Sequence, residues 1–388
     1  MTNTMLVRVR SLLPGIRERA ALADRQRRIP DDTIRELAGA GVFRMLQPKR
    51  YGGYEAGLAE FYEVVRAIAA ACPATGWVAA VLGVHPWQIS LFGEEAQDEV
   101  WKDEPGALVS SSYAPTGKLV EVDSGYQLSG RWSFSSGSDH CGWALVGALC
   151  PGEDGKAPEY LTVLVPRKDY AVEDVWNVVG LSGTGSNDIV IEKALVPWHR
   201  AYSAIDQNLL RGPGHKVNTA PLYKVPFGMV FSYAITNAIV GAAQGAYDAH
   251  VERMAQRVRL SYGGQRVAED PFAHVRVARA GGEIDAAVLT LDHNVVTQTA
   301  FTAAGEEIPE RIRLRARRDQ VLATERARTA VEMLFGNSGG HSIALGNPIE
   351  RHWRDVHAGS VHVINDVERA LSMYGRGEFG SPINEGMY

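Results

Sequence analysis

Near Leu108 the hydrophobic period of this chain switches from the helical repeat to strand-like alternation, and near Pro197 it switches back. One segment cannot satisfy both periods, so the double switch forces a β block between two helical blocks. Before it, IPDDTIRELAGAGVFRML opens on Pro30, Asp31 and Asp32, which start a helix, and stops around Gly39 and Gly41. AEFYEVVRAIAAAC and WVAAVLGVHPWQISLF continue as helices, parted by the turn-like PATG. Inside the β block, KLVEVDSGYQLSGRWSFSS, WALVGALC, YLTVLVP and DIVIEKALVP alternate and are rich in strand formers, with Asp123–Ser124–Gly125 as a hairpin turn. After a loop rich in Gly, Pro and Asn the chain is helical to its end. FGMVFSYAITNAIVGAAQGAYDAHVERMAQRVRL carries small residues at Ala234, Ala238, Gly241, Gly245 and Ala249, a stripe that lets another helix approach closely. By elements the chain is α+β, with expected domains over 1–107, 108–215 and 216–388.

Several function classes are disfavoured at this level. A net charge of −5 leaves no electrostatic footprint for nucleic acid or an anionic membrane. No run of about 18 apolar residues predicts a membrane span, and the N-terminus is charged too early for a signal peptide. Cys72, Cys141 and Cys150 are odd in number and lack CxxC spacing, which predicts reduced thiols in a cytoplasmic protein. No metal site is expected, since HExxH and the ExxH pair of di-iron bundles are absent.

Two stretches carry chemistry. ERHWRDVHAGSVHVIND (Glu350 to Asp366) reads as helix and places His362 and Asp366 one turn apart, with Asp355 on the same face. A carboxylate that orients an imidazole makes a general base near neutral pH; a capped helix with a solvated His–Asp pair is the plain alternative. GRWSFSSGSDHCGW ends a strand in Ser133, Ser135, Ser136 and Ser138 beside Trp132 and Trp143, which suits a flat heteroaromatic ligand, or equally a serine-rich turn. WNVVGLSGTGSNDIVIE lacks GxGxxG. Its turn over Gly183, Thr184, Gly185 and Ser186 either approaches a ligand's polar tail or is simply tight. His85, in an apolar stretch beside Pro86, needs a partner if buried: a satisfied core histidine or a substrate contact.

Together these residues resemble the acyl-CoA dehydrogenase superfamily. GYQLSGRWSFSSG is similar to its flavin-contacting strand, RLSYG at Arg259 to Gly263 to the RxxFG element that reaches a flavin across a subunit interface, and NPIERHWRD to its PxERxxRD element. The resemblance covers essentially the whole chain and implies a helical N-terminal domain, a central antiparallel β domain and a C-terminal four-helix bundle. Dehydrogenases of this fold carry a catalytic Glu after the RD pair; here His362 stands at about that place, and SSSYAPTG replaces the usual TEP…GSD loop. The pattern therefore resembles the oxygenase component of two-component flavin-dependent monooxygenases. Within these it is most similar to the secosteroid phenol hydroxylases of steroid degradation, and more distantly to 4-hydroxyphenylacetate 3-hydroxylase.

That resemblance implies reduced FMN or FAD, delivered by a separate NAD(P)H:flavin reductase, which reacts with O2 to a C4a-hydroperoxide and hydroxylates a phenol at the ortho carbon. It implies Trp132, Ser135, Ser136, Gly183, Thr184, Gly185, Ser186 and Arg259 as flavin contacts, with Ser135 or Ser136 at the flavin N5 edge. His362, oriented by Asp366, is the expected phenol base, and His85 a second substrate-side histidine. A homotetramer built from dimers is the expected assembly. The rivals are a same-fold oxygenase acting on an indole or polyketide aromatic, a flavin oxidase or dehydrogenase-like enzyme, and a non-catalytic scaffold.

Overall fold

The computed structural model describes residues 4–152, 158–260 and 263–383. Six helices come first: α1 (Thr4–Arg10), α2 (Leu13–Gln26), α3 (Asp31–Ala40), α4 (Leu58–Ala71), α5 (Pro73–Ile89) and α6 (Glu94–Trp101). Helix α3 stops where the sequence predicts, at Gly41 in the left-handed region (φ 94°). Every residue of α5 is buried, so it shows no polar face and is packed on all sides.

The strands are β1 (Val109–Val122), β2 (Gly125–Ser135), β3 (Trp143–Cys150), β4 (Glu159–Pro166), β5 (Ala171–Glu173), β6 (Asn187–Val196) and β7 (Ala201–Ser203), in the order β5-β6-β2-β1-β3-β4-β7. The β1–β2 hairpin turns through Asp123 and Ser124, and Gly125 (φ 145°) meets the Val196 carbonyl where no Cβ would fit. The expected antiparallel sheet is in fact mixed, because β1 and β3 run parallel, with Val109 opposite Trp143. The reason is geometric. Strand β2 returns the chain to the start of β1, and a short connection passes round that end, so β2 itself serves as the crossover that a parallel pair requires.

The chain then forms α7 (Ala204–Asn208), α8 (Phe227–Gln256), a small ribbon β8 (Val258–Arg259) and β9 (Gln265–Arg266), and the helices α9 (Pro271–Ala303), α10 (Glu310–Phe335), α11 (Pro348–Ser360) and α12 (Val367–Glu378). Helix α8 is the axis of the C-terminal part and is buried along most of its length. Its small-residue stripe does what the spacing predicts: side chains at Gly241 or Gly245 would run into the carbonyls of Arg66 and Ala70 on α4. Cys72, Cys141 and Cys150 are buried and unpaired. Among the described residues no helix is long and apolar enough to cross a membrane.

Candidate active site

The serine end of β2 meets α5, the Gly-rich turn and the C-terminal segment. Between Trp132 and Ser135 the β2–β6 register slips, and Phe134 takes φ 69°, a strained value for a non-glycine residue that re-aims the strand end. Beyond this bulge Ser136 Oγ accepts from Trp77 Nε1 at 3.1 Å and bonds Ser186 Oγ at 2.8 Å. Ser186 bonds Thr184 Oγ1 at 2.6 Å, which donates to the Leu181 carbonyl at 2.8 Å. An indole N–H can only donate and a carbonyl can only accept, so the direction of every hydroxyl between them is set. The Ser136 proton is spent on Ser186. Ser135 Oγ, by contrast, is fully buried without a hydrogen-bond partner, the one serine of the pair with a proton to offer a ligand.

Other expected flavin contacts are placed differently. Trp132 lies in the core of the sheet with Nε1 donating to the Gly147 carbonyl at 2.7 Å, so its ring is committed to packing. The turn at Gly183 and Gly185 is tight and buried. A Cβ at Gly183 would meet Ala23 and Ala74 at 3.1 Å, and one at Gly185 the Arg27 carbonyl at 3.1 Å. These glycines let α2 and α5 close on the turn; they do not form an open cradle. Arg259 sits on the β8–β9 ribbon, ion-paired to Asp270 at 2.5 Å. Ser261 and Tyr262 of the RLSYG element lie outside the described residues.

The expected His362–Asp366 pair is not formed. Helix α11 ends at Ser360, and a short helical turn over Val363–Asn365 precedes α12. His362 caps that turn, its Nδ1 accepting from the Ile364 amide at 3.2 Å, while Asp366 caps α12 by accepting from Arg369 N at 3.0 Å. Asp355 also leaves the predicted face: its Oδ1 accepts from Leu181 N at 2.5 Å. Burial pushes the Asp355 carboxyl up to about 7. The buried Asn365 holds the break in place, donating to the Gly359 carbonyl at 2.9 Å and accepting from Gln320 at 2.7 Å. Gly359 allows the approach, since a Cβ there would stand 3.1 Å from the Trp77 ring.

An aromatic wall runs from His362 to His85. His362 lies edge-on to Trp77 (5.6 Å between ring centres) and beside Phe231 (6.3 Å); Phe231 and Phe227 stack on each other and edge onto Tyr113, which neighbours His85 at 6.4 Å. His85 is fully buried, with Nδ1 at 2.7 Å from the Val109 carbonyl and Nε2 at 2.8 Å from Ser111 Oγ. Burial pushes both imidazoles down to about 4, helped at His362 by the Arg317 guanidinium. Both are therefore neutral near pH 7, and their tautomers follow from their partners. The Val109 carbonyl only accepts, so His85 carries its proton on Nδ1 and presents a bare Nε2 to Ser111. The Ile364 amide only donates, so His362 has a bare Nδ1 and presents an N–H at Nε2. Trp77, Ser111, Tyr113, Phe227 and Phe231 escape the sequence reading. Ser111 and Tyr113 lie within SSSYAP, whereas a helix buried on every side gives no periodic signal that singles out Trp77.

Comparison with known proteins agrees with this architecture. The acyl-CoA dehydrogenase N-terminal domain model matches residues 11–103 and the C-terminal domain model residues 233–367. A flavin-dependent monooxygenase, oxygenase subunit HsaA, of Rhodococcus jostii is 50% identical over 98% of this chain and 99% of its own. The chain belongs to the flavin-dependent monooxygenases of the acyl-CoA dehydrogenase family. The solved structure of the 3-HSA hydroxylase from Rhodococcus sp. RHA1 superimposes on this monooxygenase with a TM-score of 0.96 at 49% identity, each covered over 99% of its length. More distantly, the p-hydroxyphenylacetate 3-hydroxylase oxygenase component of Acinetobacter baumannii is 30% identical over 96% of this chain and 88% of its own. The monooxygenase is thus an enzyme that works with reduced flavin. The buried, unpartnered Ser135 hydroxyl fits such a ligand: it is a donor for a ring nitrogen at the end of the strand.

Proposed function

We propose that this oxygenase hydroxylates a phenol ortho to its hydroxyl, and that the substrate is a secosteroid phenol like that of the HsaA relatives. The overall change consumes the phenol, dioxygen and a two-electron-reduced flavin; one oxygen atom enters the ring and the other leaves as water. When bound, reduced FMN or FAD supplies those electrons and, with dioxygen, the transferred oxygen. A separate NAD(P)H:flavin reductase delivers it in the cytoplasm, and Arg259 serves the flavin of a neighbouring subunit in a tetramer.

The observation that carries this reading is the opposite polarity of the two neutral imidazoles along one aromatic wall. Ser111 accepts a hydrogen bond from the phenol hydroxyl and donates its own to His85 Nε2, whose Nδ1–H the Val109 carbonyl holds; because burial disfavours a charged ring, the proton moves along this relay only as the ring carbon attacks. A phenol polarised in this way is enriched in electrons at its ortho carbon. His362 Nε2–H donates a hydrogen bond toward the reacting oxygen and takes no proton from substrate. Ser135 donates to the flavin edge, and the ring wall keeps water out. A dehydrogenase is disfavoured because His362 stands at about the place where dehydrogenases of this fold carry their catalytic Glu.

The test supplies reduced FMN or reduced FAD, isotopically labelled dioxygen and a phenol panel that includes a secosteroid phenol. The expected outcome is a catechol carrying one labelled oxygen. Peroxide alone from every phenol, with labelled product from indole, would move the enzyme to the rival substrate class.

A further inference from the structure

We propose that Asp355 is the positioning residue of this site: from α11 its carboxylate holds the Leu181 amide, and through Leu181 it sets the direction of the Thr184–Ser186–Ser136–Trp77 hydrogen-bond chain. For its catalytic consequence the proposal rests on the function argued above; the clamp itself does not.

Leu181 has φ 55°, in the left-handed region, where a leucine persists only if its surroundings over-determine it. They do so from both sides. Its amide donates to Asp355 Oδ1 at 2.5 Å, and its carbonyl accepts from Trp176 Nε1 at 3.0 Å and from Thr184 Oγ1 at 2.8 Å. Gly180 is pressed so closely on α11 that a Cβ would strike the Arg354 carbonyl. Arg354 in turn donates to the Val179 carbonyl at 2.7 Å and to Asp24 on α2 at 3.0 Å. The loop, α11 and α2 are joined at one point by two buried carboxylates of α11, Glu350 on Arg354 and Asp355 on the Leu181 amide.

The consequence runs along the chain. While the Leu181 carbonyl is fixed, Thr184 must donate to it, Ser186 to Thr184 and Ser136 to Ser186, and Trp77 must donate into Ser136. Trp77 is thereby held edge-on to His362. If Leu181 relaxes to an extended conformation its carbonyl swings away and the hydroxyls lose their common direction. Ser136 then offers a proton beside Ser135, and Trp77 is free to tilt. A carboxylate kept buried although burial opposes its charge is a feature associated with functional sites.

The test uses Asp355→Asn, which keeps an oxygen acceptor of the same shape, and Asp355→Leu, which does not. In the flavin-free protein, hydrogen exchange over residues 177–186 should quicken about tenfold in Asp355→Leu, as expected for one lost buried hydrogen bond, and stay near wild type in Asp355→Asn. With reduced FMN, dioxygen and a para-alkylated phenol, the yield of catechol per flavin oxidised should fall several-fold in Asp355→Leu and recover in Asp355→Asn. Adding Ser186→Ala to Asp355→Leu should cost nothing further, because both cut one chain. Unchanged exchange in a folded Asp355→Leu, an Asn variant as poor as the Leu one, or additive losses would each overturn the proposal. If Asp355→Leu does not fold, Thr184→Val cuts the chain with the carboxylate intact, and an unchanged catechol yield there overturns it equally. A wild-type protein that hydroxylates no phenol defeats the functional reading, while the exchange result still judges the clamp.

Discussion

His85 and His362 are both enclosed, both line the same run of aromatic rings and are both pushed down to about 4, yet they offer a ligand opposite things. His85 sits in an unbroken helix facing the edge of β1, where the backbone presents a carbonyl. His362 sits where a helix has ended, and there the backbone presents an amide. What the main chain gives the inner nitrogen decides what the outer nitrogen can do. Burial alone makes an imidazole neutral; its secondary-structure context makes it an acceptor or a donor.

The comparison breaks most visibly at His85. His85→Ala removes the acceptor behind Ser111, and catechol formation should fall by about 10² to 10⁴, with flavin oxidation continuing as peroxide release. Coupled turnover at the wild-type rate in rapid-mix product assays would deny it that role. His362→Ala should cost less, about tenfold to a hundredfold in coupling, since one hydrogen-bond donor is lost; His362→Asn, which can still cap the Ile364 amide and donate, should recover part of it. An Asn variant no better than Ala would count against the donor assignment.

Acid provides a third probe. His85, His362 and His250 are pushed down to about 4 and His352 to about 3, against an ordinary 6.5, all chiefly by burial. The unfolded chain therefore binds protons that the folded one refuses, and stability should drop as pH falls from 6.5 toward 4. Asp355, raised to about 7, works the other way, holding a proton in the folded state that the unfolded chain releases, which favours folding most at low pH. Urea midpoints should hence fall between pH 7 and pH 5, and fall more steeply in Asp355→Asn. A flat profile would mean that the imidazoles are not enclosed in solution. The smallest effect belongs to Asp366→Ala: about 1 kcal/mol of stability for a lost helix cap, with turnover unchanged. A large loss of turnover would restore the His–Asp pair that the fold rules out.

The element order was legible because its signals are local: Pro30, Asp31 and Asp32 start α3, and Asp123–Ser124 turn the first hairpin. The pairing of β1 with β3 was not, since alternation tells which face a residue takes and nothing about which neighbour it meets. The helical reading of Glu350 to Asp366 ran through its own stop signals. Gly359, the β-branched Val361, Val363 and Ile364, and the capping Asp366 all argue for a break that the tempting His362–Asp366 spacing concealed. The strand that carries the serines is legible from its alternation, but telling the unpartnered hydroxyl of Ser135 from the bonded one of Ser136 needs the directed bonds from Trp77 to Leu181, which are long-range in sequence.

The crossover role of β2 bears on how the molecule is assembled. Strand β2 can zip onto β1 as soon as the hairpin leaves the ribosome, but its other edge waits for β6, and the backbone at Ser135 is paired only when Asn187 arrives. Until then a nascent chain displays an open strand edge beside apolar rings, the kind of surface that recruits other unfinished chains. A synthesis pause or truncation between Ser135 and Asn187 should therefore favour aggregation, and Ser135 is among the last parts of the sheet to be put in place.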